Sequence, residues 1–234
     1  MNKILIALFS ITLLTSCGKE KSPNTLEITG NIKGLTKGKL YIQKVQDTTL
    51  IILDSIILNG KSNFQSTLKL ESPEMLYLFV DRGVSNSIDN NLLFFAEPGK
   101  INIDTELEFF LGKAKITGSK NQELYEQYKE IVSKFNDQQL ELIKAEILAP
   151  KDKKEIIKAE NTKKQDLLLK RRYFYAANFA LTNAKYEVAP YIALTDISDM
   201  NVKYLDTIQN AMSPKVAKSK YGKKLTEYLL ERKK

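Results

Sequence analysis

The chain has 234 residues, 43% hydrophobic and 27% charged, with a formal net charge of +8. It contains no histidine, no tryptophan and a single cysteine, Cys17. This inventory excludes Ser-His-Asp and Cys-His catalysis, His/Cys zinc sites, CxxC redox chemistry and intrachain disulfides, leaving carboxylate chemistry and oxygen-ligand cations as the open routes to a reaction.

The chain starts with Lys3, an apolar run from Ile4 to Leu14, and Leu14-Thr15-Ser16-Cys17. A basic start, an apolar stretch and small residues at a cleavage point are the layout of a secretory signal. The apolar run is shorter than the ~20 residues that a membrane-crossing helix needs. Residues 1–16 therefore read as a signal peptide. Gly18-Lys19-Glu20-Lys21-Ser22-Pro23-Asn24 follows, so residues 17–25 read as a flexible tether.

Residues 26–118 read as short strands. Leu26 to Ile32 alternates apolar and polar, the period of a half-buried strand. Lys39 to Val45 and the β-branched run Leu50 to Leu58 follow. Asn59-Gly60 then predicts a hairpin with Phe64 to Leu70 as its returning strand, since both residues tolerate the positive φ of a type I′ turn. Met75 to Asp81 and Leu92 to Glu97 are apolar enough for central strands. Pro98-Gly99 leads into the alternating Lys100 to Asp104, and Lys113 to Thr117 is the last strand. No helical period interrupts them. The expectation is an antiparallel β-sandwich without a parallel sheet.

Residues 119–234 read as an all-α segment, so the fold class is α+β, strands first. Ser119-Lys120-Asn121-Gln122 has the spacing of a capping box. Leu124, Tyr128, Ile131, Phe135 and Leu142 share one helical face. Pro150 interrupts, and Asp152-Lys153-Lys154-Glu155 reads as a second capped start. The long helix it opens reaches about Leu181, which makes an antiparallel helical hairpin. Further helices are expected over Val188 to Ile197, Val202 to Met212 and Pro214 to Leu230. The last carries Lys215, Lys218, Lys220, Lys223 and Lys224, with Tyr221 and Tyr228 as its aromatics. A solvated helical face explains these lysines better than an anionic surface, and no nucleic-acid partner is expected.

Candidate site residues are few. Asp81, Asp89, Glu97 and Asp104 fall at strand ends or loops, where turn and cap roles compete with catalysis. Asp89-Asn90-Asn91 lacks the spacing and the downstream glutamate of a calcium loop. Tyr173-Phe174-Tyr175 with Phe179 reads as helix-to-sheet core before it reads as a ligand platform. Arg171 and Arg172 read as a solvated pair rather than an anion site. No catalytic, metal or cofactor site is expected, and no enzyme activity.

Two resemblances add to this. Leu14-Thr15-Ser16-Cys17 resembles a bacterial lipobox, which implies that Cys17 carries the lipid and becomes the mature N-terminus. The implied address is the cell envelope. Because Gly18 rather than aspartate follows Cys17, the outer membrane facing the periplasm is favoured. A second resemblance rests on Asn59-Gly60-Lys61 with Phe64, Phe95-Ala96-Glu97-Pro98-Gly99, Ile116-Thr117-Gly118-Ser119 with Asn121, Ala189-Pro190-Tyr191, and Ser219-Lys220-Tyr221-Gly222. Together these resemble domain of unknown function 4369, which stands in front of thioredoxin-like domains in exported lipoproteins of the Bacteroidetes type. The thioredoxin domain itself has no counterpart in these residues. The implied function is a non-catalytic binding or protein-interaction module. The alternative is an accessory, acting in trans, of a thioredoxin-like thiol-disulfide exchange system. The expected partners are a membrane, through Cys17, and an envelope protein of thioredoxin-like or transporter type.

Overall fold

A computed structural model describes residues 24–83 and 87–234. The signal peptide, Cys17 and the tether up to Pro23 lie outside the described residues.

Eight strands precede six α-helices among the described residues. The strands are β1 (Thr25–Lys33), β2 (Lys37–Gln46), β3 (Thr49–Asn59), β4 (Asn63–Lys69), β5 (Glu74–Asp81), β6 (Asn91–Ala96), β7 (Gly99–Glu106) and β8 (Lys115–Thr117). They form two four-stranded sheets in the orders β4-β1-β7-β8 and β3-β2-β5-β6. Leu26, Ile28 and Ile32 of β1 and Ile101 and Ile103 of β7 point from the first sheet toward Leu40, Ile42, Leu76, Leu78 and Phe94 of the second, all buried. Burying these faces against each other holds the sandwich together.

Three strand expectations need correcting. First, β1 and β7 pair in parallel, Leu26 to Lys33 against Gly99 to Glu106. The other pairings are antiparallel. A parallel pair needs a long crossover. Here the strands of the opposite sheet supply it, so the absence of a helix did not exclude it. Second, Asn59-Gly60 does not make a hairpin: β3 and β4 belong to different sheets. Gly60 takes a φ of 86° and Asn59 does not turn left-handed. The corner is fixed instead by the Gly60 amide donating to the Thr36 carbonyl at 2.8 Å. The tight hairpin lies one strand earlier, where Gln46 pairs with Thr49 around Asp47, at φ 55°. Third, β6 is an edge strand rather than a central one. Its apolar run is explained by what covers it: Phe94 faces the sandwich core while Phe95 faces the helices.

The helices are α1 (Lys120–Ile147), α2 (Lys154–Thr182), α3 (Val188–Thr195), α4 (Val202–Ala211), α5 (Pro214–Ala217) and α6 (Lys220–Arg232). The Ser119 hydroxyl accepts from the Gln122 amide at 3.0 Å, which caps α1 as expected. Gln122 does not complete the box. Its Oε1 accepts from the Phe95 backbone N–H at 2.7 Å, which seals the open edge of β6. The second capped start is also different: α2 begins at Lys154 with no side-chain cap bond, so Asp152 caps nothing. The last expected helix is two. Ser219 ends the α5 turn and caps α6 by accepting from the Gly222 amide at 3.3 Å.

A second core forms where Met75 and Phe95, on the outer face of the second sheet, meet Leu124, Tyr128, Ala176, Ile192, Leu205 and Leu225 of the helices.

Candidate functional site

The four candidate acids do not converge. Asp81 Oδ1 accepts from the Gly83 amide at 2.9 Å, an ordinary turn bond. Asp89 lies in the one-turn 3-10 helix Ile88–Asn90, where Ser87 Oγ accepts from its amide. Asp89-Asn90-Asn91 is therefore a capped turn. Asp104 sits on the outer face of the first sheet and accepts from the Asn31 amide at 3.0 Å. Among the described residues no group of three or more acids, histidines or cysteines is placed to hold a metal ion.

Glu97 enters a constellation at the junction of sandwich and helices. Its Oε1 accepts from the Lys120 amide and its Oε2 from Asn121 Nδ2, both at 2.6 Å. Asn121 Nδ2 also donates to Glu187 Oε2 at 2.9 Å, and Asn121 Oδ1 accepts from the Val188 amide at 2.9 Å. One buried asparagine thus ties β6, the start of α1 and the start of α3 together. Glu187 is 3% exposed, and its nearest cation is Lys215 at 3.9 Å. Gly118 makes the approach possible: at φ 97°, a Cβ there would lie 2.0 Å from the Lys100 carbonyl oxygen.

The other side of the junction is closed by α6. Tyr221 Oη accepts from the Met75 amide at 2.9 Å, the Lys220 amide donates to Ser72 Oγ at 2.9 Å, and Lys220 pairs with buried Glu74. Between the two sides lie aromatic rings. Phe95 meets Tyr191 and Tyr221 edge-on at 5.8 and 6.0 Å, and Tyr191 meets Tyr221 at 5.0 Å and Tyr125 at 5.8 Å. Burial raises the pKa of Tyr125, Tyr128, Tyr191 and Tyr221 above the ordinary 10.0, and the hydrogen bond to Asp196 raises Tyr128 further. These hydroxyls stay protonated at neutral pH and cannot serve as bases there. The arrangement holds two halves of a protein together and offers no acid-base pair. All three motif groups that resemble the family at this point, around Glu97, Asn121 and Tyr221, are spent on it.

Tyr175 and Phe179 stack against Tyr128 at 5.7 and 5.2 Å, helix on helix rather than helix on sheet. Tyr173 donates to Asp199 at 2.9 Å, and Phe174 is 53% exposed beside Tyr204. Arg172 is half-buried and Arg171 exposed.

A cleft of about 450 Å³ gathers Lys44, Lys218, Lys220, Lys223 and Lys224. It also contains Asp47, Glu71 and Glu74. With Lys220 already paired to Glu74, Lys44, Lys218, Lys223 and Lys224 face Asp47 and Glu71.

The remaining feature is the hairpin of α1 and α2. At 28 and 29 residues, the two helices are each about 42 Å long. Only their inner ends join the core. No residue of α1 beyond Val132 is buried, and in α2 no apolar residue before Leu168 is buried. The outer part is an arm held by a thin seam, with Leu142 and Ile157 half-buried and Asn161 Nδ2 donating to the Leu142 carbonyl at 2.8 Å. Large apolar side chains stand in solvent along it: Leu140, Ile143, Ile147 at 73%, Leu148 at 71%, Ile156 at 63%, and Leu167 at 59%. One face carries a groove of about 470 Å³ floored by Leu142, Leu167 and Leu168. The hairpin itself was expected from the sequence; its exposure was not. A signal was available, because Leu140, Ile143 and Ile147 lie off the face that Leu124, Tyr128 and Leu142 share.

Residues 26–125 match the family model described as "Domain of unknown function (DUF4369)". The resemblance read from the sequence holds over that span, the sandwich and the first turns of α1. No curated protein and no solved structure matches the chain. Among the described residues, no helix is long and apolar enough to cross a membrane.

Proposed function

We propose that the protein is a cell-envelope lipoprotein, anchored through Cys17, that works as a non-catalytic interaction module with the helical arm as its docking surface. The observation that carries the docking role is the set of large apolar residues exposed on the arm, which nothing else among the described residues covers. Large apolar side chains left in solvent along one element are costly in a solitary protein and mark interaction surfaces. The address rests on Leu14-Thr15-Ser16-Cys17 after a basic and apolar start. Acylation at Cys17 would hold the module at the membrane permanently, since two or more acyl chains give stable anchoring. The reading as an accessory to thiol-disulfide exchange draws on the family of residues 26–125. It becomes the better one if the captured partner has a thioredoxin fold.

The test is the native size of the protein in detergent extracts of the envelope. The wild type should migrate in an assembly larger than a single processed chain in the micelle. An Ile143→Glu, Leu167→Glu variant should migrate alone with unchanged circular dichroism. A wild type that migrates alone would remove the docking role. Separately, Cys17→Ala should abolish processing or release the protein from the membrane fraction. A processed Cys17→Ala chain that still pellets with membranes contradicts the anchor.

A further inference from the structure

We infer that the groove of the arm is closed by the arm of a second copy of this chain. This rests on the arm being a docking surface and names its occupant.

The groove has two unlike walls around an apolar floor. Asp137 and Glu141 of α1 form one wall, and Lys164 and Arg171 of α2 the other. These charges are poorly used within the chain. Glu141 reaches Lys144 at 3.7 Å and Lys164 reaches Glu160 at 3.9 Å, both exposed and long. Asp137 and Arg171 make no ion pair among the described residues. Leu167, part of the floor, is 59% exposed.

A surface that is acidic on one helix and basic on the next is complementary to itself under a two-fold rotation. Consider an axis running lengthwise along the groove. It lays α1 of one copy on α2 of the other, in antiparallel sense. Asp137 and Glu141 then face Lys164 and Arg171 of the partner subunit at the same level along the arm. The same rotation brings the two leucine floors together and makes a four-helix bundle, in which each helix has antiparallel neighbours. An axis lying across the helices would instead set α1 on α1, acid against acid. Charge therefore selects the lengthwise axis. That axis preserves position along the arm, so the two bodies lie at the same end and both chains leave Asn24 at the same level. Two lipid anchors in one membrane require this.

The full chain, purified in detergent, is weighed by sedimentation with the micelle matched out. The wild type should be a dimer. D137K with E141K should be monomeric with unchanged circular dichroism, because both walls are then basic and repel those of the second copy. Adding K164E and R171E exchanges the walls and should restore the dimer. A monomeric wild type overturns the proposal, as does failure of the fourfold exchange to restore association. If the wild type is monomeric yet still migrates in a larger, arm-dependent assembly in envelope extracts, the occupant is a different protein. The second copy is then excluded while the docking role stands. If neither association is seen, both fall.

Discussion

Asn121 has more structural consequence than any other side chain described. Its amide nitrogen serves Glu97 and Glu187 and its oxygen receives the Val188 amide, so three chain segments meet on one residue. Removing it leaves the Glu187 carboxylate buried without a donor. Breaking a buried charged network this way costs about 3–5 kcal/mol. Asn121→Ala should therefore lower the urea-unfolding free energy by about 3 kcal/mol or more; a loss under about 1 kcal/mol would show that the network is not structural. The tyrosines give a pH dependence with a definite sign. Tyr125, Tyr128, Tyr191 and Tyr221 hold their protons more tightly when folded, chiefly because burial penalises the phenolate. In the unfolded chain they ionise near pH 10. Above that pH the folded state binds more protons than the unfolded one, so stability falls as pH rises. Below it these groups contribute no slope. Denaturation midpoints should hold steady from neutral pH to about pH 9 and drop steeply by about pH 11. A flat profile across pH 10 would contradict the burial of these hydroxyls.

At the scale of elements, α6 depends on a glycine that the sequence offers only as part of a Ser219-Lys220-Tyr221-Gly222 motif. A Cβ on Gly222 would meet the Val216 carbonyl oxygen at 2.0 Å. Gly222→Ala should push α6 away from the α5 turn and loosen Tyr221 from Met75. The change should appear as a loss of about 1–3 kcal/mol and as exposure of the Met75 amide to exchange. Unchanged protection there would argue against close packing of the two helices. The arm makes the opposite prediction. Amides from Asn136 to Lys164 should exchange faster in the isolated chain than those from Asn121 to Val132, which rest on the core. Uniform exchange along α1 would contradict an unsupported arm. Most elements were legible in the sequence because their periodicity was strong: β1 and β7 alternate, and α1 follows a helical face from Leu124 to Leu142. What failed were inferences about neighbours. Asn59-Gly60 signals a turn, but a turn does not say whether the chain stays in its sheet. Gln122 stands at the box position, but the unpaired Phe95 amide on an edge strand outcompetes its own helix. The break between α5 and α6 was readable, since Ser219 before Lys220-Tyr221-Gly222 is a cap, yet the flanking apolar period masks it.

For the whole molecule, two cores share the second sheet: one against the first sheet and one against the helices. Of the stretches that carry the sequence resemblance, those around Glu97, Asn121 and Tyr221 fall on the seam between them, and Asn59-Gly60-Lys61 with Phe64 falls in the sandwich. They bear on how the protein is built; the proposed docking surface lies elsewhere, on the arm beyond the matched residues 26–125. Leu140, Ile143 and Ile147 signal it by lying off the face of Leu124 and Leu142, but a helix that is apolar on two sides is equally a core helix until its neighbours are known. Under the proposed function, a lipid-held body with an apolar arm would meet its partner at a membrane. The most direct test places a photo-activated crosslinking residue at Leu167 in living cells, with the exposed Thr67 on the first sheet as control. Leu167 should yield a discrete adduct, and Thr67 should yield none. An arm that gives no adduct, or no more than Thr67 gives, would contradict the account.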